Sequence, residues 1–359
     1  MSMTQPRTTL ATVAASAGVS VATVSKVLNG RRDVAPATRA RVHEMLRAHD
    51  YGGRLKTIER HPTIELTLRG RIGSYSAEIV QGVAVAAAEH GVAVTVGVKA
   101  VDQRPSAKVE AATWARNLAV NGRRAVIAVT DELGYEEITA LSRVGLPLVV
   151  IDPMNVPSPD IVSVGSTNFR GGQAAGRHLV DLGHQRIAYL GGRASAECSQ
   201  ARLAGFRSAL EEAVVELPEE YVHSTDDFLY ENGLHGAPRL LTLVQRPTAI
   251  FAASDELACG AIEAARSAGI SVPHDVSIVG FDDTEIARIA SPPLTTVRQP
   301  LQEMGAVALR TALRLVAGER IDSNHVELAT ELVVRASTAA PSRTAKPIRA
   351  RIVSAWELT

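Results

Sequence analysis

The stretch GVSVATVSKVLNG, Gly18 to Gly30, decides how the first fifty residues fold. Val24, Val27 and Leu28 fall on one face of a short helix over Val21–Leu28, which leaves Thr23, Ser25 and Lys26 on the others. Gly18 tolerates the positive φ of a tight turn, and the Ser20 hydroxyl is placed to cap the helix behind it. Upstream, Leu10–Ala17 carries apolar residues at Leu10, Val13, Ala14 and Ala17, with Thr8 or Thr9 as N-cap. Downstream, Pro36 opens a third helix running to about His49, with Val42, Met45 and Leu46 on its apolar side. Two helices joined at a glycine turn and packed through Ala14, Gly18 and Val24 predict a helix-turn-helix, whose second helix enters a DNA major groove.

Charge points the same way. The formal net charge of the 359-residue chain is zero, yet residues 1 to 60 hold ten Lys and Arg against four acids, and residues 61 to 340 hold 24 against 33. A basic head on an acidic body suits a protein that offers only its head to a polyanion. The two cysteines, Cys198 and Cys259, have no metal-ligand spacing and form no disulfide framework. No stretch has the apolar length of a membrane span or a secretory leader, so a cytoplasmic protein without membrane contact is expected.

The strings TTLATVAASAGVSVATVSKVLNG and VAPATRARV closely resemble the N-terminal domain of the LacI/GalR family of bacterial transcription regulators. The resemblance implies a DNA-binding domain over residues 8–50. Short hydroxyls at helix starts hold phosphates, which assigns Thr9, Ser20, Thr23, Ser25 and Asn29 to the DNA backbone; the same hydroxyls could serve simply as helix caps. Val21, Ala22 and Lys26 are placed to meet base edges, the first two through apolar contact with a thymine methyl and Lys26 through guanine acceptors. Leu10, Thr38 and Tyr51 complete the family's DNA-facing set. The linker, residues 51–62, carries Gly52 and Gly53 where the family begins a hinge helix; Leu55 is its candidate minor-groove wedge, or a surface leucine.

Beyond Thr63, β-rich runs (TIELTL, VAVTVGV, AVIAVT, LPLVVID, then DIVSVG, RIAYLGG, TAIFAAS, VSIVGFD) alternate with helical segments. They predict two similar α/β lobes with parallel sheets and a cleft at the strands' C-terminal ends. The strings EIVQGV, DLGHQRIAYLGG, PPLTTVRQP and ELVVR extend the resemblance to the family's periplasmic-binding-protein-like core over residues 63–340. The expected N-lobe spans 63–152 and 292–325, the C-lobe 161–286 and 326–340, and residues 341–359 form a disordered tail.

The resemblance places Arg202 and Asp282 where the family grips its effector, and Phe228 where a ring stacks on it; Arg202 and Asp282 could instead pair with each other. Ser254 stands where an asparagine is frequent. Asp152, Ser199 and Gln299 are further candidates, with Tyr75 and Ile79 on the wall of the first lobe. No catalytic, metal or cofactor constellation is present in the pattern, so an enzyme is not expected. The resemblance implies a homodimer, joined through Glu78–Glu89 and Asp255–Ala268, that reads a near-palindromic operator and is released by a small sugar. A corepressor-type regulator answering a purine or phosphorylated metabolite, and a sugar-binding protein whose head no longer binds DNA, are the alternatives.

Overall fold

The computed structural model describes residues 9–28, 31, 34–49, 62–99, 108–130, 133–154 and 160–342. The chain divides into two compact units, residues 1–61 and 62–359. The expected contacts at Asn29, Tyr51 and Leu55, the linker and most of the tail lie outside the described residues.

In the first unit, α1 (Leu10–Ala17), α2 (Val21–Leu28) and α3 (Pro36–Ala48) enclose a core of Val13, Ala14, Ala17, Val24, Val27, Val42 and Leu46. Thr9 caps α1 by accepting from the Thr12 N–H at 3.3 Å, and Ser20 caps α2 by accepting from Thr23 at 3.1 Å. Gly18 ends α1 at φ 65°, which turns α2 through 103° relative to α1. His49 Nε2 and Ser16 Oγ, 2.6 Å apart, fasten the end of α3 to α1.

The second unit holds two six-stranded sheets. One has the order β11-β5-β4-β3-β1-β2 and is parallel throughout. It is built from β1 (Thr63–Arg69), β2 (Ala93–Lys99), β3 (Arg123–Val129), β4 (Leu148–Ile151), β5 (Val162–Ser166) and β11 (His325–Leu328). The other has the order β12-β10-β9-β8-β6-β7. It comprises β6 (Ile187–Gly191), β7 (Val222–Ser224), β8 (Ala249–Ala252), β9 (Ser277–Asp282) and β10 (Thr295–Arg298), with β12 (Glu331–Val333) antiparallel on its edge. Numbered within each lobe, both follow the doubly wound order 2-1-3-4-5, and the crevice of such a sheet opens where the winding reverses, between β1 and β3 and between β6 and β8.

Strand pairing corrects the expected lobe boundaries. β5, assigned to the C-lobe, pairs with β4 (Val149↔Val162) and completes the N-lobe sheet. Residues 295–298, assigned to the N-lobe, pair with β9 in the C-lobe, and residues 326–328 pair with β5 in the N-lobe. The apolar composition of these strands suits either sheet; only their hydrogen-bonding partners separate them. The chain therefore crosses between lobes three times, near residues 167, 299 and 329. The crossings are tied together: Thr167 and Thr330 hydroxyls lie 2.9 Å apart, and Ser166 Oγ donates to Gln299 Oε1 at 2.5 Å.

Besides α5 (Lys108–Val120), α6 (Tyr135–Arg143) and α11 (Glu285–Ile289), three helix pairs that meet through glycines clothe the sheets. On α4 (Ser74–Glu89) and α12 (Leu301–Val316) these are Gly82 and Gly305; on α7 (Asn168–Asp181) and α8 (Glu197–Glu212), Gly172 and Gly205; on α9 (Tyr230–Leu241) and α10 (Asp255–Ser267), Gly233 and Gly260. A Cβ on any of the six would stand 1.8 to 2.6 Å from a backbone oxygen of the partner helix. The missing side chains let these helices approach backbone to backbone. Among the described residues no single helix is long and apolar enough to cross a membrane.

Asp255 pins α10 to its sheet from complete burial. Its carboxylate accepts from Thr296 Oγ1 at 2.5 Å and from Thr284 N and Oγ1 at 2.8 and 3.0 Å. Burial nevertheless pushes this carboxyl up to about 7, against the lowering pull of those donors. A folded-state value above the unfolded one means that the folded chain holds an extra proton in the interval between them. The stabilisation is full below about pH 4 and is lost as pH rises towards 7. Asp255→Asn is therefore expected to flatten the fall of the unfolding midpoint across that interval, followed by circular dichroism. An unchanged pH slope would refute this account.

Candidate functional sites: a recognition helix and an interlobe cavity

In the first unit, α2 turns Val24 and Val27 inward and exposes Val21, Ala22 and Lys26, with Thr23 and Ser25 half-buried beside them. Thr9 and Ser20 lie exposed at the starts of α1 and α2, where their hydroxyls already cap the helices; Leu10 and Thr38 are half-buried. The exposed face of α2 thus combines small apolar groups with one cation, and helix N-termini with hydroxyls flank it. That combination suits major-groove bases and phosphates.

In the second unit, a cavity of about 300 Å³ lies between the lobes. The winding order explains its walls, because residues at or just beyond the strand ends line it: Arg69 at the end of β1 with Gly70 and Arg71 after it, Thr130 after β3, Asp152 after β4, Arg193 after β6, Ser254 after β8 and Asp282 at the end of β9. Several hold backbones that L-residues seldom adopt, with φ of 45° at Thr130, 43° at Asp152 and 120° at Asp282. Strain of this kind concentrates where side chains must be aimed into a site.

Arg202, from α8, lies on the floor of the cavity and is only 3% exposed. Its guanidinium centre stacks 3.8 Å from the Phe281 ring centroid and 5.8 Å from that of Phe228. Nε donates to Asn168 Oδ1 at 2.7 Å and Nη1 to the Ala253 carbonyl at 2.6 Å, while Nη1 and Asp282 Oδ1 form an ion pair at 3.8 Å. Among the described residues Nη2 has no hydrogen-bond partner. Asp282 Oδ1 also accepts from Gln299 Nε2 at 2.6 Å, and Oδ2 has no hydrogen-bond partner among the described residues. Burial pushes the Asp282 carboxyl well above the ordinary range, and the Arg202 charge pulls it back. Tyr75 donates to Asp152 Oδ2 at 2.6 Å, and burial likewise raises the Asp152 carboxyl. Arg202 and Asp282 are therefore paired with each other while both line the cavity.

The candidates separate accordingly. Tyr75, Asp152, Arg202, Phe228, Ser254 and Asp282 come together on the cavity wall. Ser254 faces it as a helix cap, accepting from Leu257 N at 3.0 Å and donating to the Phe228 carbonyl at 2.7 Å, so it steadies the Phe228 backbone. Ile79 does not line the wall: it is fully buried in the N-lobe core, its side of α4 shared with Val83 and Ala86. Ser199 is enclosed in α8 one residue past the lining Cys198, its Oγ without a partner among the described residues. Gln299 stands behind Asp282 and joins it to Ser166 at the crossings. Arg69, Arg71, Arg193, Asp226, Asp227 and Glu256 also line the cavity and were missed; their position just past strand or at helix starts is the signal that would have found them.

Residues 9–52 match the bacterial regulatory proteins of the lacI family, and residues 177–338 match the periplasmic binding protein-like domain. The HTH-type transcriptional regulator DegA of Bacillus subtilis is 36% identical over 340 residues, spanning 92% of this chain and 98% of DegA. The chain belongs to the lacI family. The HTH-type transcriptional repressor PurR of Salmonella arizonae is 31% identical over 92% of this chain and 97% of its own. The solved complex of the transcriptional regulator CelR with cellobiose is 32% identical, superposes with a TM-score of 0.69, and covers 92% of this chain and all of that one. Like its lacI-family relatives, this protein is a DNA-binding transcriptional regulator and not an enzyme.

Proposed function

We propose that this lacI-family regulator is a repressor whose interlobe cavity binds a carbohydrate, and that occupancy of the cavity alters its affinity for operator DNA. The paired Arg202 and Asp282 beside Phe228 carry this reading: a fixed donor and a fixed acceptor suit neighbouring sugar hydroxyls, and the ring suits a pyranose face. The CelR complex, which holds cellobiose, supports it. A purine is better served by two facing rings, and among the described residues neither Phe228 nor Tyr75 has a ring partner.

A single helix-turn-helix binds weakly, so two heads on a homodimer read a near-palindromic operator with half-sites about one helical turn apart. The exposed side of α4, with Ala77, Ala84, Val85 and Ala88, and the edge strand β2, with Val96 and Val98, offer the N-lobe contact. α10, the C-lobe helix expected at the dimer interface, buries its apolar Leu257, Ala261, Ile262 and Ala265 inside its own lobe. Its accessible side carries Glu256, Cys259, Glu263, Arg266 and Ser267.

Fluorescence anisotropy on DNA from upstream of the gene, with and without mono- and disaccharides and at two salt concentrations, tests the reading. Release by one neutral sugar is the expected result; tight binding that no sugar moves would overturn it. In the same assay Lys26→Ala should weaken operator binding by about 1–3 kcal/mol, roughly 5- to 150-fold. Unchanged affinity would favour a sugar-binding protein whose head has left DNA.

A further inference from the structure

Two helix starts from opposite lobes meet at the mouth of the cavity. α4 begins behind Gly73, which has no side chain to cap it, whereas α10 begins behind Ser254, whose hydroxyl does. Glu256, in the first turn of α10, reaches across the cleft, and its Oε1 accepts from the Ser74 N–H at 2.8 Å. The fit is close, since a Cβ on Gly73 would stand 2.6 Å from that oxygen.

Helix starts attract anions, because their first N–H groups have no partner within the helix and the helix dipole is positive there. The start of α4 is already served by a carboxylate of this chain, which also lies at the positive end of its own helix. The rest of the lining is mixed in charge, Asp226 and Asp227 with Arg69 and Arg193, and Arg71 is directed to Glu231 at 3.0 Å, so the group that meets the start of α4 is the Glu256 carboxylate. We propose that Glu256 is a specificity-determining residue that restricts the cavity to uncharged effectors, acting as a built-in anion at the start of α4 and bonding the lobes across the cleft. This selectivity rests on the cleft being the effector site, but its test does not require the effector to be known.

The full-length protein, Glu256→Ala and Glu256→Gln are compared by thermal unfolding in inorganic phosphate and in chloride of equal ionic strength. Each is then titrated calorimetrically with glucose 6-phosphate, glucuronate, glucose and cellobiose. The wild type is expected to be indifferent to phosphate. Glu256→Ala should gain a midpoint rise of about 2 °C or more in phosphate and about tenfold tighter glucose 6-phosphate binding. Glu256→Gln, which keeps the acceptor and drops the charge, should move in the same direction by less, and it stands in if the alanine variant fails to fold. Equal stabilisation of wild type and variants by anions, or variants as indifferent as the wild type, would overturn the proposal. If the variants gain the anion response while no neutral sugar binds the wild type, the selectivity stands and the carbohydrate reading falls.

Discussion

Arg202→Ala is expected to abolish the response of operator binding to effector and to destabilise the core by about 3–5 kcal/mol at neutral pH, the usual cost of removing one partner of a buried ion pair. The side chain is 3% exposed, supports two short hydrogen bonds and faces Asp282 at 3.8 Å. Its loss leaves Asp282 with no cation at that distance among the described residues. Protonation relieves the penalty, so the cost has a pH signature. Arg202 lowers a carboxyl that burial has raised. Without it, Asp282 holds its proton to still higher pH, and the deficit against wild type should shrink as pH falls and the carboxyl becomes neutral in both proteins. Arg202→Met, which fills the space without the charge, should show the same pH trend with a smaller loss at low pH. A deficit independent of pH, measured by denaturant unfolding, would mean that packing rather than charge pairing holds this site.

The second large effect concerns residues that carry no chemistry. Gly205→Ala places a Cβ 1.8 Å from the Phe169 carbonyl oxygen, and Gly172→Ala places one 2.0 Å from that of Arg202. In a helix free of neighbours, glycine to alanine gains about 1 kcal/mol. Here the sign reverses, because the obstacle is backbone that cannot rotate away and α7 must separate from α8. A loss of about 3 kcal/mol or more is expected, at the upper end for overpacking. Since α8 also carries Arg202, effector affinity should fall with stability. The double variant should cost clearly less than the two single losses added, because one separation makes room for both methyl groups. Calorimetric unfolding midpoints decide the matter: neutral or stabilising single variants would show that the helices do not pack this closely.

Local features were legible and distant pairings were not. The bounds of α1 and the start of α2 follow from signals within a few residues, the Thr9 and Ser20 caps and the Gly18 turn, and the helices start and stop there. Arg202, Asp282 and Phe228 reached the cavity wall from a resemblance of motifs, and their conversion into a site depends on parallel strands that all end at one cleft. Ile79 was misplaced although the period it shares with Val83 and Ala86 marks a core face. Glu256 could not be read as a lobe-to-lobe contact, because its partner Ser74 lies 182 residues earlier and nothing near either residue names the other. The lobe membership of β5, β10 and β11 was hidden for the same reason, as was the glycine packing, which requires both helices of a pair to be known.

The three crossings also set the order in which parts of this protein can exist during synthesis. All three head helices are complete by Ala48, whereas the N-lobe sheet lacks its outer strand until Leu328 has been made and the C-lobe sheet lacks its own until Val333. A message cut short between Ala48 and His325 would yield a head with neither sheet finished. Such a fragment keeps the head's helices and lacks the finished sheets that frame the cavity.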